Sequence, residues 1–307
     1  MTKIFVDGSA GTTGLRIFER LDGRKELEII RLPETLRKDP DARADAICRA
    51  DIAFLCLPDA AAIESVALAG ECDTKIIDTS TAHRTNPDWT YGFPELTGQR
   101  EKIRASRRVA NPGCHASGFV ALIAPLIENG LLSPDVQLTS FSLTGYTGGG
   151  KGTIARYTEP DRDPLFDAPR QYALGQEHKH LKEIKHICGL TYAPAFSPVI
   201  NDFPCGMEVT VSLFGDWVKG SMDDIRDCYR SYYQSGLIHY TDAADENGFL
   251  SAAAFAGRDD MQITVYGNPD RMNLIARFDN LGKGASGAAV QNMNILLGVD
   301  ESTGLSI

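Results

Sequence analysis

The chain has 307 residues, 43% hydrophobic and 23% charged, the balance of an ordinary globular protein large enough for two domains. Its net charge of −10, with no basic run, argues against nucleic acid and anionic membranes as partners, but it allows an anionic small molecule held by local positive charge. The longest apolar stretch, Phe119 to Ile127, is too short to span a bilayer and contains Pro125. A strand-and-glycine motif, not a secretory signal, begins almost at once, so a cytoplasmic location is expected. The seven cysteines, odd in number and without Cys-x-x-Cys spacing, read as reduced thiols and not as a disulfide framework or a zinc knuckle.

Lys3-Ile4-Phe5-Val6-Asp7 reads as a buried strand. Gly8-Ser9-Ala10-Gly11-Thr12-Thr13-Gly14 follows, then a helical pattern with Leu15, Ile17, Phe18 and Leu21. Strand, glycine loop and helix in that order are the context of a dinucleotide site, where the helix N-terminus accepts pyrophosphate. The spacing is GxxGxxG, not GxGxxG, and a plain βα turn is the competing reading. Leu27 to Leu32 is the second strand. Arg31 at its end, with Arg37 and Lys38 behind it, suits a 2′-phosphate and so favours NADP(H). Glu28 stays open as a ribose ligand, and the cations read otherwise as solvated surface charge.

Asp51 to Pro58 is a third strand, 59–69 an alanine-rich helix, and Lys75 to Ser80 a fourth strand. Strands alternating with helices predict a doubly wound, Rossmann-type parallel α/β sheet. Ligands bind such sheets beyond the strand carboxyl ends, which places Pro58, Ser80 and the Thr81-Ala82-His83-Arg84 loop near cofactor or substrate. Arg84 is the candidate cation for an anionic leaving group; the alternative is a structural arginine tied to Asp78. Asn111-Pro112-Gly113-Cys114-His115-Ala116-Ser117 then sets a thiol just after a turn, where an apolar run begins. At a helix start, free amides and the positive dipole end favour the nucleophilic thiolate; a buried structural cysteine is the competing reading.

Beyond 130 the pattern changes. Gln137 to Thr144 alternates like a half-buried strand. Gly145 to Gly152 lacks the GK[ST] of a P-loop and reads as a flexible loop, and 155–176 as a long surface loop. Glu177-His178-Lys179-His180-Leu181-Lys182-Glu183-Ile184 follows. On a helix the two histidines would point about 160° apart, and on an extended segment they would share a face. Strands at 207–214, 261–266 and 272–279 and a helix near 221–235 describe a second, α+β domain. The chain closes on Gly282 to Gly287 and a helix whose first residues are small, suited to close packing.

A dinucleotide loop, a cysteine at a helix start and a His-x-His pair together suit the interconversion of an aldehyde with an activated acyl group. The cofactor moves hydride, the thiol carries the acyl group, and histidine moves the proton. No third metal ligand is evident, and hydride transfer to a thioester needs no metal, so no metal is expected.

Beyond that reading, the chain resembles the N-acetyl-gamma-glutamyl-phosphate reductase family in its shorter, type 2 form. The residues that carry the resemblance are Gly8 to Gly14, Asp78 to Arg84, Tyr91-Gly92-Phe93-Pro94-Glu95-Leu96, Asn111-Pro112-Gly113-Cys114, Glu177-His178-Lys179-His180, and Asn280 to Asn294. The resemblance implies NADPH-dependent reduction of N-acetyl-gamma-glutamyl phosphate to the semialdehyde in arginine biosynthesis. It also implies an architecture similar to the glyceraldehyde-3-phosphate and semialdehyde dehydrogenases. A nucleotide domain of 1–114 plus 282–307 would then enclose a catalytic and oligomerisation domain of 115–281, in a dimer or tetramer. On this basis Cys114 is the expected nucleophile, His180 the acid/base with His178 in support, and Arg84 and Asn111 substrate contacts. Three positions depart from the longer form: His115 replaces its usual Tyr, Ala82-His83-Arg84 its Asp-Phe-Arg, and Leu181 the proline after its His-Arg-His. The alternatives are aspartate-semialdehyde dehydrogenase, which shares chemistry and fold, and a non-catalytic NADP-sensing protein.

Overall fold

The computed structural model describes residues 1–307. Its contacts divide the chain into two units, Met1–Pro112 with Ala285–Leu305, and Gly113–Gly284 with Ser306–Ile307. The expected division put Cys114 with the nucleotide domain. Here Cys114 belongs to the second unit, because the helix it begins packs on that unit's strands and helices.

The first unit runs β1 (Thr2–Asp7), α1 (Thr12–Leu21), β2 (Leu27–Ile30), α2 (Pro40–Arg49), β3 (Ile52–Leu55), α3 (Asp59–Ala69), β4 (Lys75–Asp78), β5 (Thr90–Tyr91), α4 (Gln99–Ala105) and β6 (Arg108–Ala110). All six strands pair in parallel, in the order β2-β1-β3-β4-β6-β5. β3 is buried along its whole length, so Ile52-Ala53-Phe54-Leu55 reads as a continuous apolar run, as a strand covered on both faces must. One layer of core gathers Ile4, Val6, Ile17, Phe54 and Ile77 with Val290 and Met293 of the closing helix; the other gathers Phe5, Ile47, Leu55 and Ile76. Asp39 starts α2 by accepting the N–H of Ala42, with Pro40 in the first turn. Arg43 on α2 is buried and donates to Asp7 and Ser65, and also to Glu64, which fixes the carboxyl end of β1 directly before the glycine loop.

The second unit opens with α5 (Cys114–Glu128), buried from His115 to Leu126. Such a helix is apolar all round, and each fully enclosed Phe, Leu or Ile contributes about 2 kcal/mol. Then come β7 (Thr139–Gly145), α6 (Gly150–Thr158), β8 (Arg170–Gln171), α7 (Lys179–Ile187), β9 (Ala195–Asn201), β10 (Met207–Phe214), α8 (Met222–Tyr232), β11 (Ile238–Tyr240), β12 (Met261–Asn268) and β13 (Arg271–Phe278). They form a mixed sheet, β11-β12-β13-β10-β7-β9-β8, with α5 packed against β10, β13, α7 and α8. A π-helical turn at Gly282–Ser286 leads into α9 (Gly287–Leu297), which returns to the first unit.

Three expectations are corrected. The glycine-rich stretch and the supposed surface loop hold α6, a 3-10 turn at Pro164–Asp167 and β8. There Tyr157 is buried beside Tyr146, with the Arg170 guanidinium 3.6 Å over the Phe166 ring. Strand β9 was not anticipated, because Pro198 stands inside it. The cysteines are not all free: Cys48 at the end of α2 and Cys72 just after α3 are joined as a disulfide, since these two helices pack side by side.

Candidate active site

The glycine loop leaves β1 at the carboxyl edge of the parallel sheet. Gly8 has φ +82°, and a Cβ there would lie 2.2 Å from the Cys56 carbonyl oxygen, so the loop can pass the neighbouring strand end only without a side chain. Gly11 is the N-cap of α1 and supplies no side-chain hydrogen bond to the helix amides, and the Thr12 hydroxyl nearby is buried without a hydrogen-bond partner. An open helix start with close backbone approach fits a dinucleotide pyrophosphate. Ser9, Ala10 and Thr13 complete the loop. Arg31 follows β2 directly, and its guanidinium lies 4.8 Å from the centre of the Phe18 ring. Arg37 and Lys38 are exposed just beyond the next turn, and Pro58 is the N-cap of α3.

The β4 end is tightly tied. Asp78, wholly enclosed, accepts hydrogen bonds from the Ser80 amide and hydroxyl, and lies 2.6 Å from His83 Nδ1. The His83 ring stacks on Trp89 at 4.1 Å. Asp78 therefore pairs with His83, while Arg84 donates to the Asn111 and Thr79 carbonyls at 2.8 and 3.0 Å. Those neutral acceptors fix the plane of a guanidinium that is 7% exposed. Asn111 is braced at both ends: its amide donates to the Ala285 carbonyl and accepts from Asn292. Its side chain joins the β6 turn to the closing helix, a role the sequence reading did not foresee.

In the second unit Cys114 is the first residue of α5, with Gly113 as N-cap. The Gly113 N–H donates to the buried carboxylate of Glu183 on α7, at 2.9 Å, which satisfies an amide that the helix's own cap cannot. Gly284 lies against the Cys114 side chain: a Cβ there would come 3.0 Å from Cys114 Cβ. Burial pushes the Cys56 thiol up to about 12 and that of Cys228 to about 11, and raises Cys188 further still, so these three are inert at neutral pH.

The two histidines follow neither sequence geometry. His178 is the extended N-cap of α7, and its Nδ1 accepts the N–H of His180, at 3.2 Å, in the first turn. A bend at the helix entrance thus brings rings two residues apart to 4.6 Å, and both lie within 6 Å of the His115 ring. Because Nδ1 of His178 accepts, the neutral ring carries its hydrogen on Nε2. His115 in turn is bonded to Ser142 and to Tyr172, and burial lowers its pKa to about 3, with His178 adding to the effect. Tyr172 lay in the stretch expected to be loop, and no signal pointed to it. Glu183 could have been found, since it stands three residues after His180 on a helix.

A parallel sheet whose glycine loop fits a pyrophosphate in one unit, and in the other a cysteine at a helix start followed by a histidine whose ring gathers those of His178 and His180, define the semialdehyde dehydrogenase class of oxidoreductase. The family described as "Semialdehyde dehydrogenase, NAD binding domain" matches residues 31–106, and "Semialdehyde dehydrogenase, dimerisation domain" matches 114–280. The fold is similar to aspartate semialdehyde dehydrogenase II of Vibrio cholerae complexed with ASA, at TM-score 0.74 and 16% identity over 97% of this chain and 98% of that one. It is also similar to the Candida albicans aspartate semialdehyde dehydrogenase with NADP, at TM-score 0.68 and 16% identity over 96% and 98%. N-acetyl-gamma-glutamyl-phosphate reductases of Brucella suis and Brucella ovis are each 46% identical to this chain over 306 residues, 96% of it and 99% of theirs. The chain belongs to the N-acetyl-gamma-glutamyl-phosphate reductase family. No helix is long and apolar enough to cross a membrane.

Proposed function

We propose that this chain reduces N-acetyl-gamma-glutamyl phosphate to N-acetyl-glutamate semialdehyde and phosphate with NADPH, a step of arginine biosynthesis, as a cytoplasmic dimer or tetramer. Family membership supports the substrate, and the observation that carries the mechanism is Cys114 at the N-terminus of α5, followed by His115, whose ring lies within 6 Å of those of His178 and His180. The Cys114 thiolate attacks the acyl carbonyl, the C–O bond to phosphate breaks, and a thioester remains. NADPH, when bound, supplies the hydride that reduces the thioester carbon. His180 protonates the resulting thiohemiacetal oxygen, then takes that proton back as the C–S bond breaks and frees aldehyde and thiolate. His178, its Nδ1 engaged in the cap, offers Nε2–H as a supporting donor. Gly8 to Gly14 hold the pyrophosphate, Arg31, Arg37 and Lys38 the 2′-phosphate, and Pro58 and Ser80 border the cofactor. Arg84, oriented by two carbonyls, serves the leaving phosphate.

The test is phosphate-dependent NADP reduction with N-acetyl-glutamate semialdehyde and aspartate semialdehyde side by side, on wild type and Cys114→Ser. Turnover of the acetylated substrate alone, lost by several orders of magnitude in the variant with NADPH binding intact, is expected. Preference for aspartate semialdehyde would overturn the substrate, and near-normal turnover of Cys114→Ser would overturn the nucleophile.

A further inference from the structure

One hydroxyl bonded to the residue next to the candidate nucleophile is left with a hydrogen to give. His115 Nδ1 is 2.5 Å from Ser142 Oγ, and Nε2 is 2.6 Å from the Tyr172 hydroxyl. The His115 ring is enclosed by Tyr172, His178, His180 and Phe196, and burial keeps it neutral. A neutral imidazole has one donor nitrogen and one acceptor nitrogen, so one of its two hydroxyl neighbours donates to it and the other accepts.

Ser142 decides which. Its side chain is wholly enclosed in β7, and His115 is its one hydrogen-bond partner. If Nδ1 carried the hydrogen, the serine O–H would be buried with nothing to accept it, at a cost of about 1–3 kcal/mol. The serine therefore donates to Nδ1, the ring hydrogen sits on Nε2, and Nε2–H donates to the Tyr172 oxygen. Tyr172 also has His115 as its one hydrogen-bond partner, and that bond uses its oxygen, not its hydrogen. Burial, and next the charge of Cys114, raise the pKa of the phenol well above its usual 10, so the hydrogen stays on at neutral pH. A largely enclosed, permanently protonated donor without a protein acceptor is thus bonded to the residue that follows Cys114 in α5, with its ring 6.1 Å from that of His178.

We propose that Tyr172 is a catalytic hydrogen-bond donor to the oxygen of the acyl group carried on Cys114, and that His115 is the positioning residue that orients it. The proposal rests on Cys114 being the nucleophile. That oxygen gains negative charge as sulfur or hydride adds to the carbon, so a donor fixed in advance stabilises the transition state more than the bound substrate. The ring's own donation to the phenol oxygen leaves the phenol O–H no route back to His115. Ser142 is thus the far end of a one-way line, Ser142 to His115 to Tyr172 to substrate.

The experiment is steady-state kinetics on single and double variants of the full chain, with N-acetyl-glutamate semialdehyde, phosphate and NADP. Tyr172→Phe should lower kcat on the order of 100-fold, the usual effect of removing one such donor, with KM within about threefold. His115→Leu should lower kcat similarly. His115→Gln, whose amide N–H reaches the Nε2 position, should recover most of it, whereas His115→Asn, which reaches only the Ser142 side, should not. The double variant Tyr172→Phe/His115→Leu should be no slower than Tyr172→Phe alone, because the imidazole acts through the phenol. Alkylation of Cys114 by iodoacetamide at unchanged rate in each variant shows the thiol and its fold intact. A Tyr172→Phe enzyme with normal kcat overturns the proposal. So does a rise in KM alone, which would place the hydroxyl on a remote part of the substrate, or losses that multiply in the double variant. An active Cys114→Ser enzyme would instead sink the nucleophile itself; an inactive one beside a full-speed Tyr172→Phe sinks only the donor.

Discussion

Acid should weaken this protein through His115, by an amount that follows from its burial. The ring is 3% exposed, and its pKa is lowered from 6.5 to about 3, by enclosure first and by His178 second. In the unfolded chain the same ring takes up a proton as the pH falls through 6.5, while in the folded chain it stays neutral until about 3. Between those values the unfolded state binds more protons than the native state, so stability is complete above the upper pKa and declines as the pH falls. Passing from pH 7 to pH 5 therefore costs about 2 kcal/mol from this one group, a large part of the stability of an ordinary domain. The contribution of this one ring is isolated by difference. The comparison is therefore wild type against His115→Gln, which cannot take up the proton, in urea unfolding at pH 7, 6 and 5. The variant will be offset at every pH, and the slope carries the information. Wild type should lose about 2 kcal/mol more than His115→Gln over the interval. Parallel losses, within about 0.5 kcal/mol, would mean that the ring is not held neutral by burial, and the donor assignment through Ser142 to Tyr172 would fall with it.

Two further outcomes are expected. Gly8→Ala meets the Cys56 carbonyl and a φ of +82°, so beyond the roughly 1–2 kcal/mol of backbone cost the loop must shift. NADPH affinity should fall at least about tenfold (about 1.4 kcal/mol) while iodoacetamide still alkylates Cys114 normally, and unchanged NADPH affinity by fluorescence titration would remove the loop from the cofactor site. His180→Asn should lower kcat by about 100-fold or more, as loss of an acid/base group does, whereas His178→Asn, which can still cap α7, should act mainly on KM and leave Tm near wild type. The opposite ranking in the two rate profiles would assign the proton to His178.

The fold was legible where one physical signal governs a segment. Ile52-Ala53-Phe54-Leu55 is buried on both faces, and only a continuous apolar run satisfies that, so the central strand could be read directly. The same holds for the alternation in Met207–Phe214, one face buried and one open. Helices α2 and α4 were missed because their apolar faces are narrow: α2 buries Arg43, Ala46 and Ile47 and little else. β9 was hidden by Pro198. The Cys48–Cys72 contact depends on how two helices pack, which no spacing of single cysteines encodes.

The candidate site divides along the same line. Which residues are candidates for chemistry could be read from the chain, because Gly8 to Gly14, Asn111 to Cys114 and His178-Lys179-His180 are local motifs of a few consecutive residues. What those residues are bonded to was not, because hydrogen bonds here join positions far apart in the chain. His115 and Ser142 are 27 residues apart, and His115 and Tyr172 are 57. The helix-or-strand choice posed for the histidines failed for a similar reason. An N-cap residue is extended while its neighbour is already helical, so the angle between the two side chains belongs to neither regular structure. The direction of the proton line is one step further from sequence. It follows from counting hydrogens on groups that burial has closed off from water, and burial is a property of the whole unit. A serine with a single partner is what forces the tautomer of the histidine, and that tautomer is what releases the tyrosine hydrogen.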